Sequence, residues 1–171
     1  MNLNYSIDRL DELIRENEKG TKHFKKLITP RFSDCIYGRK IHFSKIFEFF
    51  EMARFDIMNS FYLYYKHRKN YGESINLGNF VVVRVQCDKY EALERPIYGD
   101  VSIETTLIIH NSPLLEFDQI AYDEDSGEMM FKANIRIAIV DETYGKVVSP
   151  DRDVLTAMLE FINLYGKEKT I

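Results

Sequence analysis

The sequence predicts an α+β domain in which one long buried helix is followed by a run of antiparallel strands. Three observations carry that expectation. From Ser44 to about His67 apolar residues occupy almost every helical direction, and a helix apolar nearly all round is one wrapped by other structure. From Val81 onward the apolar period changes to two, which is the period of a strand. The period-two runs are joined by short links, and short links join antiparallel neighbours.

Taken in order, Ser6 to Glu18 reads as an amphipathic helix with Ile7, Leu10, Leu13 and Ile14 on one side, closed by Lys19-Gly20. Leu27 to Asp34 is the expected first strand, with Pro30 placing part of it at an edge or bulge. Ser44 is the expected N-cap of the central helix. Within it Phe47, Glu51, Arg54, Met58 and Phe61 follow a three-four spacing, and Ile46, Phe49, Phe50, Ala53, Phe55, Ile57 and Tyr62 fill most other directions. Asn70, Gly72 and Gly78 mark a loop. In the next strand Val81, Val83, Val85 and Cys87 alternate with Val82, Arg84 and Gln86. Further strands run Val101–His110, Leu114–Tyr122 and Met129–Val140, the last two joined across the turn-rich Asp123–Gly127. Asp141 to Gly145 turns again, and Asp151–Tyr165 is a closing helix. Residues 1–25 are thus expected to form an N-terminal helical extension, and 26–171 the domain proper.

A core built from 171 residues needs neither disulfide nor metal. The net charge of -4 gives no electrostatic reason to expect nucleic acid or an anionic membrane as partner. Cys35 and Cys87 form no CxxC pair and read as reduced, buried thiols. No apolar run approaches a membrane span and no signal-peptide pattern opens the chain, so a cytoplasmic location is expected. A Gly-rich phosphate loop, a nucleophile elbow and a metal-spaced His/Cys/Asp set are all missing. Their absence argues against nucleotide-dependent, serine-hydrolase and metalloenzyme readings, and no cofactor is expected.

Ser33-Asp34-Cys35-Ile36-Tyr37-Gly38, then Phe43, then Phe49-Phe50-Glu51-Met52-Ala53-Arg54 resembles the lead-in and helix of the 4-hydroxybenzoyl-CoA thioesterase-like family. That family's pattern is an Asp-x-Asp pair and a glycine, an aromatic-rich approach, and a helix carrying Phe/Tyr-Glu-x-Ala-Arg. Tyr90, Pro96 and Tyr98-Gly99-Asp100 look like its second-strand signature, and Asp141 to Pro150 resembles its final turn. The resemblance covers roughly residues 27 to 163. It implies a single hotdog domain, a long central helix wrapped by an antiparallel sheet. It also implies an acyl thioester of coenzyme A or carrier protein as partner, bound in a tunnel completed by a homodimer or homotetramer.

The same resemblance assigns candidate roles. The N–H of Phe43, ahead of the helix, would hold the thioester oxygen, because a helix start offers free donors and a positive dipole end. The family's catalytic Asp falls on Ile36, so Asp34, two residues earlier, is the candidate carboxylate if both lie on one strand; the other reading is that Asp34 caps the turn. Tyr37, Arg39 and His42 cluster at the approach, and histidine is the side-chain type that changes charge near neutral pH. Glu51 and Arg54, three apart, can pair, or Arg54 can orient a thioester carbonyl or substrate carboxylate. Phe47, Glu51, Arg39 and Tyr98 are the expected substrate contacts. Lys66-His67-Arg68-Lys69 is either a solvated helix end or a landing site for phosphates or an acidic carrier. Hotdog relatives serving polyketide and enediyne assembly also lack the acid and keep an Arg at the place of Arg54. An acyl-CoA or acyl-carrier-protein thioesterase is the leading expectation, with polyketide or other specialised biosynthesis as one setting. Alternatives are a dehydratase, cyclase, decarboxylase or acyl-transfer enzyme, or a non-catalytic binding module.

Overall fold

The computed structural model describes residues 7–68, 79–110, 112–141 and 143–168. Asn70, Gly72 and Gly78 of the expected loop, and Lys69 of the basic run, lie outside them.

Helix α1 (Ile7–Glu18) buries Leu10, Leu13 and Ile14, and ends where Gly20 takes a left-handed φ of 63°. The first strand, β1, is Lys22–Ile28 rather than Leu27–Asp34. The reason is Pro30, which has no N–H for a ladder, and beyond it Phe32–Asp34 tightens into a 3-10 turn. β1 therefore crosses the 25/26 boundary expected from the sequence. Two-residue strands β2 (Cys35–Ile36) and β3 (Lys40–Ile41) then pair around a turn in which Gly38 and Arg39 both have positive φ.

Helix α2 (Phe43–Arg68) is the axis of the molecule. Its buried residues Ile46, Phe49, Phe50, Ala53, Ile57, Phe61 and Tyr65 recur at three-four spacing and press on the sheet. That sheet has six strands in the order β4-β7-β6-β5-β1-β8, every pairing antiparallel. Its members are β4 (Asn79–Lys89), β5 (Val101–Ile109), β6 (Leu114–Asp123), β7 (Met129–Val140) and the short β8 (Lys167–Glu168). Helix α3 (Arg152–Tyr165) closes the chain, and Asp151 caps it by accepting the Val154 N–H at 2.9 Å. α3 packs on α2 and β1 through Phe161, which stacks on Phe24 at 5.6 Å.

Strand β4 departs from the expected alternation. Val82 pairs with Ile137 and Arg84 with Arg136, leaving Val83 in a bulge. Directly paired residues share a face, so Phe80, Val82, Val85 and Cys87 lie on the side of buried Ile139, Ile137, Ile135 and Ala133. The bulge, not a continuous 81/83/85/87 stripe, decides which valines face α2. Cys87 is exposed and Cys35 half-buried, so neither is the buried thiol expected. Among the described residues no strand pairs with the outer side of β4, and Val81, Val82, Val83 and Val85 are all exposed along it.

The outer face of the sheet is polar beyond α1. Glu116 there accepts from Asn134 at 2.8 Å and Arg136 at 2.7 Å, and meets His110 at 3.3 Å. Burial pushes the Glu116 carboxyl up, but the bonds from Asn134 and Arg136 outweigh it and hold the group below the ordinary value.

Candidate active site

The start of α2 is built by its own lead-in. Asp34 in the 3-10 turn accepts the Arg31 N–H through its carboxylate at 2.7 Å, and the His42 N–H through its carbonyl at 3.1 Å. His42, not Ser44, caps the helix: its Nδ1 accepts the Ser44 N–H at 3.3 Å and lies 2.6 Å from the Ser44 hydroxyl. With Nδ1 accepting, the proton of the neutral ring sits on Nε2. The ring lies 4.9 Å from that of Phe43. Phe43 is the first residue of α2, so its N–H has no carbonyl one turn earlier within the helix. Asp34, His42 and the Phe43 N–H are thus one cluster.

Asp34 and Ile36 do not share a strand. The 3-10 turn intervenes, because the Asp34 N–H closes back on the Arg31 carbonyl at 2.9 Å. The same-face argument that tied Asp34 to the position of Ile36 therefore has no strand to act through. The Asp34 carboxylate also lies 3.9 Å from Lys45, whose ammonium is held above its ordinary value first by its bond to Glu48. Ile36 is about half exposed (49%).

Tyr37, Arg39 and Tyr98 form a second group on the outside of the approach. Tyr37 is 99% exposed. The Arg39 guanidinium sits 5.1 Å over the Tyr98 ring, and its Nε donates to the Ile97 carbonyl at 3.2 Å. The Ile97 N–H returns a bond to the Arg39 carbonyl at 3.1 Å, so this segment is stitched to the chain before β5. Exposed Phe32, Ile36, Tyr37, Phe43 and Tyr98 leave a largely apolar surface around the helix start.

Arg54 and Glu51 lie further along α2, lining a cavity of about 230 Å³ with Phe55, Met58, Tyr62, Phe80, Val82, Phe117 and Ile137. The cavity lies between α2 and the β4–β7 side of the sheet. The expected Glu51–Arg54 bond is not what holds the guanidinium. Arg54 Nη1 donates to Gln119 Oε1 at 2.5 Å, and exposed Glu51 acts through space. Burial pushes the Arg54 guanidinium below its ordinary value, with Glu51 opposing. From Phe43 to Arg54 is eleven residues, about 16 Å along a helix axis. One carbonyl cannot touch both within a protomer. Phe47 belongs to neither cluster: its ring packs edge-on against Phe131 at 5.4 Å and Phe50 at 6.5 Å, within the core.

A larger cavity, about 530 Å³, lies on the other flank of α2, walled by Phe24, Ile57, Leu63, Phe161 and Tyr165 with Lys25, Lys26 and His67 at its lining. No local pattern announces it, since its walls come from β1, α2, β5 and α3, which are distant in the chain. Gln119 was also missed, although its signal was present as one polar residue in the inward series Leu115, Phe117, Gln119, Ala121. In the basic run, Arg68 pairs with Glu160 of α3 at 3.2 Å and so fastens the helix end.

No family model matches the chain, and no curated protein matches it in sequence. Solved structures do match in shape. A DHNA-CoA thioesterase from Staphylococcus aureus superposes with a TM-score of 0.63 at 16% identity, over 83% of this chain and 92% of its own. A 12:0-ACP thioesterase from Umbellularia californica gives 0.64 at 14% identity, over 82% of this chain and 54% of its own. A thioesterase from Thermus thermophilus complexed with coenzyme A and zinc gives 0.58 at 17%, over 81% and 94%. The architecture is the hotdog fold.

Proposed function

We propose that the protein is a thioesterase that hydrolyses an acyl thioester of coenzyme A or of a carrier protein, working as a homodimer or a tetramer of dimers. The observation that carries the reading is the pairing of a largely apolar, arginine-lined cavity with a helix start whose first N–H, that of Phe43, has no acceptor within the helix, on the fold that the structurally similar thioesterases share. The long open edge of β4 and the exposed apolar surface at the helix start supply the area a second copy would cover. The roughly 16 Å between the Phe43 N–H and Arg54 leaves room for an acyl chain between a held carbonyl and the guanidinium.

In this reading the Phe43 N–H donates to the thioester oxygen and stabilises the charge that builds on it as water attacks the carbonyl carbon. The carbon–sulfur bond breaks, the thiolate takes the proton that water gives up, and a free acid and a thiol leave. His42 and Asp34 are the titratable groups beside that N–H. Free-thiol release from a panel of acyl-CoA and acyl-carrier substrates tests the assignment; binding without release would exclude hydrolysis. A second reading has its own observation. Ile36 occupies the place of the family acid and Asp34 spends its carboxylate on a turn, which suits a non-hydrolytic enzyme on the same fold. Consumption of thioester without free thiol would establish that one.

A further inference from the structure

Gln119 is the polar side chain within the inward series Leu115, Phe117, Gln119 and Ala121 of β6, and it is wholly buried (0% exposed). A buried amide is costly unless its groups are paired, and here they are. Nε2 donates to the Phe50 carbonyl of α2 at 2.9 Å and lies 2.9 Å from Thr105 Oγ1, directly across on β5. The Phe50 carbonyl can only accept, so it fixes which end of the amide faces the helix. That leaves Oε1 turned to Arg54, whose Nη1 it accepts at 2.5 Å.

Among the described residues, this guanidinium is therefore bonded to a neutral oxygen rather than to a carboxylate. A glutamate at 119 would cancel the charge but could not donate to the Phe50 carbonyl. A glutamine holds the guanidinium in a fixed direction without bonding a carboxylate to it, at the wall of a cavity lined also by Phe55, Met58, Tyr62, Phe80 and Val82 and by exposed Glu51, which acts on Arg54 only through space. A part-buried cation with no carboxylate bonded to it still favours a negatively charged oxygen at contact distance.

We propose that Gln119 is a positioning residue that sets acyl specificity: it presents Arg54 to a carboxylate carried at the far end of the acyl group. The proposal rests on the thioester reading above and names its substrate class, an ω-carboxyacyl thioester.

The experiment compares octanoyl-CoA with its ω-carboxylate counterpart suberyl-CoA, for wild type, Gln119→Glu and Gln119→Leu. Both kcat and KM are read from thiol release, and dissociation constants from calorimetry. Wild type is expected to favour suberyl-CoA by about 10- to 100-fold, the worth of one charge-assisted bond, chiefly in KM or Kd. Gln119→Glu is expected to erase that preference, read as the ratio of the two substrates within the folded variant, whereas a merely structural role would lower both alike. Equal handling of the two by wild type, or a preference that survives Gln119→Glu, would overturn the proposal. If neither compound binds or turns over, the thioester reading itself fails. The positioning claim is then read from ¹⁵N-arginine spectra: a slowly exchanging Arg54 guanidinium that becomes mobile in Gln119→Leu, with the fold retained, supports it. An unchanged signal defeats it.

Discussion

The Asp34 carboxylate and the Arg31 N–H are bonded at 2.7 Å, so the acid nearest the helix start is also the clasp of the turn that leads into it. A second strap, from the His42 N–H to the Asp34 carbonyl, holds the helix cap against the same residue. Substitution can separate the two roles. Asn keeps an acceptor for Arg31 but cannot take a proton. If Asp34 serves the turn, Asp34→Asn retains most thiol-releasing activity and Asp34→Ala loses about 1 kcal/mol of stability. A loss of about 100-fold or more in kcat for Asp34→Asn, at unchanged Tm, would make it the base instead.

His42→Ala removes the acceptor for the Ser44 N–H at the first turn of α2. The expected stability loss is about 1 kcal/mol, and His42→Asn, which caps well, should restore it. Thermal unfolding of the two variants checks the cap. Restored stability without restored activity would show that the ring does more than cap.

Glu116 provides a pH prediction. Its carboxyl is held below its ordinary value in the folded chain, so its contribution is present above the unfolded carboxylate range. It is lost as pH falls through the lower, folded value. Glu116→Gln should cost about 1–3 kcal/mol near pH 7, with the difference from wild type shrinking towards pH 3. Denaturant titrations at the two pH values decide it, and a constant difference would refute the linkage.

Phe50→Ala tests the core under the site. The side chain is fully buried and packs against Phe47 and Phe131, so truncation should cost about 3–5 kcal/mol. A loss below about 1 kcal/mol in urea unfolding would mean that the helix sits less firmly on the sheet than this packing requires.

Much of the architecture was legible because its signals are local. Central α2 declared itself by apolar residues in every direction, and β7 was read to its observed limits, Met129–Val140. What was misread depended on partners far away in sequence. β1 was placed too late because its ladder to β5, Phe24 against Thr105 through Ile28 against Val101, leaves no mark in a run as basic as Lys22–Ile28. Two-residue alternation could not expose the Val83 bulge, since consecutive valines look alike from either face. The nearness of Asp34, His42 and Phe43 at the helix start was legible because their spacing is short, but Arg54 was given Glu51 as partner. Helical neighbours are visible in a sequence, and an amide from a strand sixty-five residues on is not.

The two margins of the sheet are unlike: among the described residues β4 is an eleven-residue strand bonded on one side only, to β7, whereas β1 at the other margin is covered over Lys22 and His23 by the two-residue β8. A second copy meeting β4 about a two-fold axis would use that long margin in both molecules at once. Under such a pairing, growth of the sheet through β4 would end with the pair, because neither molecule would have that strand left to offer.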